Sequence, residues 1–273
     1  MGSGMAMECY TALQESLSEV GLIVDAAREA LAEGSSGRVK CNAMTRAGLV
    51  LLCGYFEGFV RDLVEEYIEA LNDEGVSVNK LPDSLFCSFL ESGISGYRGD
   101  QVSGFNGLRE LIVNDGVVRL NSKQLSKTGG NPSVDNVESI FSGIGIDSII
   151  DRLSILDYSV DSTYVLESQV NAKLRRDLEA AITGETAGES VERVIRVIEG
   201  KWQARKKRRK VGYVSEIEEL LKRRNRIAHG EGREQITPDE LSEHCNMVSK
   251  LATGLHNAVA QAWSNLTVAP GEA

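Results

Sequence analysis

The sequence predicts an all-α fold, a helical bundle with irregular insertions. Apolar residues recur every three to four positions over two long segments near the N-terminus, and two further well-marked helices lie near the C-terminus. No segment shows a convincing alternation of apolar and polar residues, so no strand is expected. With 273 residues, 42% of them hydrophobic, the chain is long enough to bury a sizeable core.

The first half predicts two long helices, over residues 6–33 and about 39–71. The first carries a stripe formed by Cys9, Leu13, Leu17, Val20, Val24, Ala27 and Leu31, and a Gly-Ser-Ser-Gly turn ends it. On the second helix, Gly54 and Gly58 lie four residues apart, which predicts the close approach of another helix.

Residues 72–160 are the least regular part, with short helices predicted over 83–90, 107–114 and 134–142. Further helices are predicted over 163–182, where leucines and other apolar residues follow a four-residue step, and over 191–202.

Helix-start signals mark the last two helices. Ser215 with Glu218 forms a capping-box pattern, and Thr237 precedes Pro238 and Glu240 in a second such pattern. We expect one domain over residues 6–265, a vector-derived remnant at residues 1–5 and a flexible tail at residues 266–273.

The composition argues against several classes of protein. The five cysteines are scattered and odd in number, as expected for core thiols in a reducing cytoplasm. The pair His244 and Cys245 points in different directions on a helix, so no metal and no other cofactor is expected. The longest apolar run, residues 47–56, is too short to span a membrane, and no signal peptide is recognisable.

The charge is unevenly distributed. The chain carries a net charge of −10, yet residues 201–230 hold eleven Lys and Arg against three Glu, so this segment is +8 and the remainder −18. Such asymmetry favours a polyanionic partner at one face. We predict RNA contacts from Trp202, Arg205, Lys206, Lys207, Arg208, Arg209, Lys210 and Arg226. The alternative is a solvated linker or a nuclear localisation tract.

The segment Arg224-Asn225-Arg226-Ile227-Ala228-His229-Gly230 combines three chemically useful side chains. The guanidinium of Arg224 binds phosphate oxygens, His229 transfers protons near neutral pH, and Asn225 orients either partner or a ribose hydroxyl. These are sufficient for cutting RNA without a metal. The alternative is an ordinary helix end, where a His favours the dipole and Gly230 takes the left-handed position.

This segment, with the helix after it, resembles the HEPN superfamily, in particular its RiboL-PSP-HEPN branch. Residues 47–60, with a Glu-small-Phe step, and residues 131–146 are also similar to that branch. The resemblance covers roughly residues 40–260 and implies a HEPN-like helical bundle that dimerises around the motif helices. Many such proteins are metal-independent endoribonucleases that serve as toxins or in anti-phage defence.

The resemblance implies that Arg224, Asn225 and His229 are catalytic and that Glu57 is the acidic residue of the earlier helix. Glu57 has an alternative role as the solvent edge of an apolar helix, or as an ion-pair partner of a neighbouring Arg such as Arg224. Family toxins silenced by AMP transfer carry a Tyr two residues after the His, where this chain has Glu231, so that silencing is not expected.

The leading hypothesis is therefore a cytoplasmic endoribonuclease that acts on RNA as a homodimer, with an antitoxin or sensor protein as a further partner. One His per motif leaves the site short of a second proton-transfer group, which a two-fold dimer supplies. The alternatives are a non-catalytic HEPN module that scaffolds RNA or a protein partner, and a helical interaction protein whose motif is only a capped helix end.

Overall fold

The computed structural model describes residues 7–96, 101–167, 172–181, 187–201, 205–230 and 234–267. These residues form eleven α-helices, one short 3-10 helix and a sheet of two short strands, which confirms the all-α prediction. Their contacts divide the chain into two compact units, Met1–Leu153 with Tyr213–Ala273, and Ser154–Gly212. A single domain over residues 6–265 stays a prediction.

The first unit is built on a long antiparallel helical hairpin of α1 (Glu8–Ala32) and α2 (Gly37–Glu74). The stripe predicted on α1 is buried except for Leu31, which is 45% exposed. Helix α2 ends at Gly75, whose φ of +70° is the left-handed conformation that glycine adopts at little cost. Both predicted helices are confirmed, with ends within three residues of those expected.

Within one chain, the close approach predicted at Gly54 and Gly58 is wrong. Among the described residues, nothing lies within 4 Å of a Cβ built at either glycine. The tight position is Gly48, where such a Cβ would lie 2.7 Å from Leu241 Cδ2. Glycine spacing marks where a helix has a smooth face, whereas the angle at which the neighbouring helix crosses decides which glycine it meets.

Helices α10 (Tyr213–Ala228) and α11 (Pro238–Thr267) complete this unit against α2. The cap predicted at Thr237 is confirmed, because its Oγ1 accepts from the Glu240 backbone N–H at 3.1 Å while Glu240 accepts from the Thr237 N–H at 2.8 Å. The cap predicted at Ser215 is wrong. Helix α10 begins at Tyr213, whose buried ring anchors the first turn to the core.

The irregular middle of the chain contributes helices α3 to α7, with the 3-10 helix at Val78–Lys80. The three predicted helices in this region correspond to α3 (Asp83–Gly96), α4 (Gln101–Val113) and α6 (Val134–Gly143). Two helices had no clear sequence signal, α5 (Ser122–Leu125) and α7 (Ile149–Tyr158). Buried side chains of α6, including Phe141, extend the core of the first unit.

The second unit holds the sheet, so the expectation that the chain has no strand is wrong here. Strand β1 (Tyr164–Glu167) pairs antiparallel with β2 (Arg205–Arg208), and helices α8 (Ala172–Ala181) and α9 (Ala187–Lys201) lie between them in sequence. A helix over all of residues 163–182 is therefore wrong at its start. The four-residue apolar step indicates only spacing, and cross-strand pairing overrides it in β1.

No described helix is long and apolar enough to cross a membrane. The predicted remnant at residues 1–5 lies outside the described residues, as do residues 268–273 of the predicted tail.

Candidate active site

The last turns of α10 carry Arg224 and Asn225, both half-buried. Arg224 Nη1 donates to Asn225 Oδ1 at 3.1 Å, so the amide oxygen of Asn225 holds the guanidinium. The structure thus pairs Asn225 with Arg224 through its side chain, while the sequence interpretation assigned it to the His or to a ribose. An Arg held on one nitrogen still presents the others to an anion.

His229 lies just beyond the end of α10, with its side chain exposed. Its backbone N–H donates to the Asn225 carbonyl at 2.9 Å, and the Gly230 N–H donates to the Ile227 carbonyl at 3.1 Å. Gly230 has a φ of +74°, the left-handed conformation of a helix end. The helix end therefore fixes the backbone of His229 while its ring faces solvent, where a substrate can reach it.

Glu57 lies on α2, half-buried, and accepts from Thr128 Oγ1 at 3.2 Å. One turn earlier, burial raises the pKa of the Cys53 thiol to about 12; the positive charge of Arg224 lowers that pKa and the negative charge of Glu57 raises it. Both charged groups therefore lie near Cys53. Between Glu57 and Arg224, the described residues show no ion pair.

The neighbouring arginines of α10, Arg223 and Arg226, form ion pairs with acidic side chains. Arg223 contacts Glu219 and Glu240, each at 2.9 Å. Arg226, which was predicted to bind RNA, contacts Glu234 at 3.2 Å. Arg224 differs from both because no carboxylate of the described residues lies within 4.0 Å of it. Its positive charge is thus the least neutralised of the three.

The structure adds Arg46 to the residues predicted from sequence. It lies seven residues before Cys53 on α2, so it shares the face of that helix that carries Cys53, two turns away. Its Nε is buried without a hydrogen-bond partner among the described residues. A buried, unpaired donor on a cation is costly unless an anion binds it. The unpaired Nε of Arg46 depends on the packing around α2, so no signal in the sequence marks this residue.

The basic run lies in the second unit, where β2 and the residues after it hold its cations in an extended segment. Lys207, Arg209 and Lys210 are exposed. The guanidinium of Arg208 stacks over the Tyr164 ring, 5.0 Å from its centroid, and donates to its hydroxyl. Trp202 and the side chains of Arg205 and Lys206 lie outside the described residues.

No group of three or more His, Cys, Asp or Glu side chains among the described residues is arranged to hold a metal ion. His244 is buried on α11, and this burial, with the charge of Arg223, lowers its pKa below 6.5. Cys245, its neighbour, is half-buried, and burial raises its pKa to about 11. Both residues thus favour their neutral forms.

Comparison with known protein families gives a match over most of the chain. The family model described as RiboL-PSP-HEPN matches residues 13–261, which includes α2, α10 and most of α11. Neither the curated proteins nor the solved structures contain a match to this chain. Since the family model covers most of the sequence, the chain belongs to the RiboL-PSP-HEPN family.

Proposed function

We propose that the chain is a metal-independent endoribonuclease that cleaves RNA through attack by the 2′-hydroxyl, at a site composed of residues from two protomers. Family membership supports a nuclease or an RNA-related module. The proposal of RNA cleavage rests on three side chains that lie together in sequence at the end of α10. Arg224 is held by Asn225 and has no acidic partner among the described residues, and the exposed His229 follows five residues later.

The proposed reaction needs two proton transfers and a group that stabilises charge on phosphate. His229 of one protomer accepts the proton of the 2′-hydroxyl, and the 2′-oxygen bonds to phosphorus as the bond to the 5′-oxygen breaks. The partner's His229 donates a proton to the leaving 5′-oxygen. Arg224 binds the non-bridging oxygens, where negative charge builds up. The products carry a 2′,3′-cyclic phosphate and a 5′-hydroxyl.

The proposed dimer uses a face of α2 that no described element covers. Val50 and Leu51 are 38% and 41% exposed, and small residues continue the face at Ala43, Ala47 and Gly54. Exposed apolar surface of this kind favours a protein partner. A second copy is the partner that completes the chemistry, because it brings the second His229.

In this proposal, the exposed cations Lys207, Arg209 and Lys210 bind RNA phosphates outside the cleavage site. We further propose a biological role as a cytoplasmic toxin or anti-phage effector, restrained by an antitoxin or sensor protein. The resemblance to family toxins and defence nucleases supports this role.

The central test is cleavage of a labelled RNA of mixed sequence in EDTA. We expect His229→Ala to reduce the rate by about 10²–10⁴-fold, since a proton-transfer group is lost. The matched control is His256→Ala, which removes the half-buried imidazole of α11. Mass spectrometry of the products should find cyclic phosphate ends. If both variants cut like the wild type, or if EDTA stops the wild type, the proposed mechanism is wrong.

A second test concerns the dimer. We expect Leu51→Asp to convert the protein to a monomer and to abolish cleavage, because a buried unpaired charge opposes association. The control is Val113→Asp, at a residue of α4 that is 74% exposed. Light scattering after size exclusion gives the mass, and circular dichroism checks the fold. An active Leu51→Asp monomer would refute the two-protomer site.

A further inference from the structure

A second cationic strip lies in the first unit, outside the predicted motif. Residues 116–134 contain Arg119, Lys123 and Lys127 but no Asp or Glu, on a chain with a net charge of −10. All three side chains are exposed, and none has an ion pair with the described part of the chain. This strip, residues 119–128, therefore presents positive charge without an ion-pair partner among the described residues, on a protein whose net charge is negative.

Hydrogen bonds fix the beginning of the strip against α2. The Asn72 amide donates to the Leu120 carbonyl at 3.0 Å and accepts from the Leu120 N–H at 2.8 Å. Ser122 Oγ donates to Glu69 Oε1 at 3.3 Å. A backbone segment held on both its donor and its acceptor has a defined position, so the cations it carries are placed by the fold.

The strip runs along α2 towards the candidate active site. Its other end is tied to α2 by the bond from Thr128 to Glu57. Residues 57 and 72 are separated by about 22 Å along a helix, at 1.5 Å per residue. Glu57 is also one of the two charged groups that act on Cys53, the other being Arg224. The strip therefore leads along α2 to the helical turn that faces the proposed catalytic Arg.

A cavity of about 280 Å³ opens beside the strip, between α3, α5 and α6. Its polar lining has two cations, Arg119 and Lys127, and two amides, Asn121 and Gln124. The carboxylate of Glu91 and the hydroxyls of two serines complete it. The volume is near the lower end of the range of about 300–1,000 Å³ for small-molecule sites. It suits one nucleotide and excludes a duplex.

The lining offers partners for both the phosphate and the base of a nucleotide. Arg119 and Lys127 bind phosphate oxygens, Arg with a fork of donors and Lys as a point charge. Glu91 repels phosphate but accepts from the amino group of a base, and the amides of Asn121 and Gln124 both donate and accept. Phe89, half-buried in the same lining, offers an apolar surface to a base.

We propose that this cavity is a subsite for one unpaired nucleotide of RNA, flanking the phosphate that is cut, with Arg119 and Lys127 on its phosphate. The proposal rests on the proposed ribonuclease function, since it names where the substrate strand continues. A strand is favoured over a free nucleotide because Thr128, directly after Lys127 of the cavity lining, hydrogen-bonds to Glu57 of α2, which with Arg224 acts on Cys53. The subsite makes the enzyme select RNA whose nucleotide at this position is unpaired.

The test uses the double variant Arg119→Gln/Lys127→Gln in a His229→Ala background, which prevents cleavage while binding is measured. The probe is a fluorescein-labelled single-stranded RNA of eight nucleotides, and the readout is anisotropy at several salt concentrations. We expect the Kd to rise at least tenfold, and the slope of log K against log salt to fall by about 1.4, at ~0.7 per single-strand phosphate contact. The control Lys123→Gln, on the same strip but outside the cavity lining, should change the Kd less than threefold.

The outcomes separate this inference from the proposed function. If the wild type cuts RNA but the double variant binds with unchanged Kd and slope, the subsite is refuted and the nuclease stands. If the wild type does not cut but the double variant loses binding, the nuclease is refuted and the RNA subsite stands. If Lys123→Gln weakens RNA binding as much as the double variant does, binding depends on the charge of the whole strip, and the cavity is refuted as a subsite. Competition by AMP as strong as by RNA would make it a site for free nucleotides. An absence of RNA binding by the His229→Ala protein refutes the subsite, while cleavage by the wild type decides the nuclease.

Discussion

Two sides of the last turns of α10 use the same residue type in opposite ways. On one side, Arg223 is 19% exposed and contacts Glu219 and Glu240, which joins α10 to the first turn of α11. On the other side, Arg224 hydrogen-bonds to the amide of Asn225, has no carboxylate partner among the described residues, and acts on Cys53 of α2 through its charge. Adjacent positions on a helix point about 100° apart, so the two arginines meet different environments.

The two adjacent arginines therefore differ in what their charges are available for. A cation whose carboxylate partners neutralise it contributes to the fold and has little attraction left for phosphate. A cation held by a neutral amide keeps its charge available. This pattern of partners, which the residue types alone do not reveal, is why the proposed function assigns Arg224 and not Arg223 to the substrate phosphate.

The largest expected effect is on catalysis. We expect Arg224→Ala to reduce RNA cleavage by about 10²–10³-fold, the loss typical of removing one donor that stabilises a developing oxyanion. Its unfolding free energy should stay within about 0.5 kcal/mol of the wild type, as for a residue without an ion pair. Single-turnover cleavage and urea unfolding measure the two quantities. A stable protein with full activity would remove Arg224 from the site.

The next effect is on stability. We expect Arg223→Ala to lower the free energy of unfolding by about 1–2 kcal/mol, because two charge-assisted contacts are lost and their partners are partly exposed. Cleavage by the folded variant should change less than threefold. Urea unfolding and the same cleavage assay check this. If Arg223→Ala lost activity as strongly as Arg224→Ala, the distinction between the two sides would be wrong.

The smallest effect is on pH dependence. Burial and the nearby Arg223 lower the pKa of His244 below 6.5 in the folded state. The unfolded chain then binds a proton at higher pH than the folded one, so stability is complete above pH 6.5 and falls as the pH drops below that value. We expect His244→Gln to flatten this slope in unfolding experiments between pH 7 and pH 5. An unchanged slope would show that other titrating groups cause it.

Some elements of this fold can be predicted from the sequence and others cannot. The long helices α1, α2 and α11 follow from apolar spacing and from the Thr237 cap, because these signals are local and repeated many times. Strand β1 does not follow, since its partner β2 lies about forty residues away and pairing overrides local spacing. The start of α10 at Tyr213 likewise depends on where a large ring is buried rather than on the Ser215 pattern.

For the site, the sequence by itself determined the motif residues Arg224, Asn225 and His229, the basic run and the all-helical class. Only the tertiary structure decided which arginine lacks an acidic partner among the described residues, that Glu57 bonds to Thr128, and that the Nε of Arg46 is buried without a hydrogen-bond partner among those residues. The physical reason is that residue type fixes what a side chain is able to do. Whether a side chain is paired with a neighbour or available to a ligand depends on elements distant in sequence, which only folding brings together.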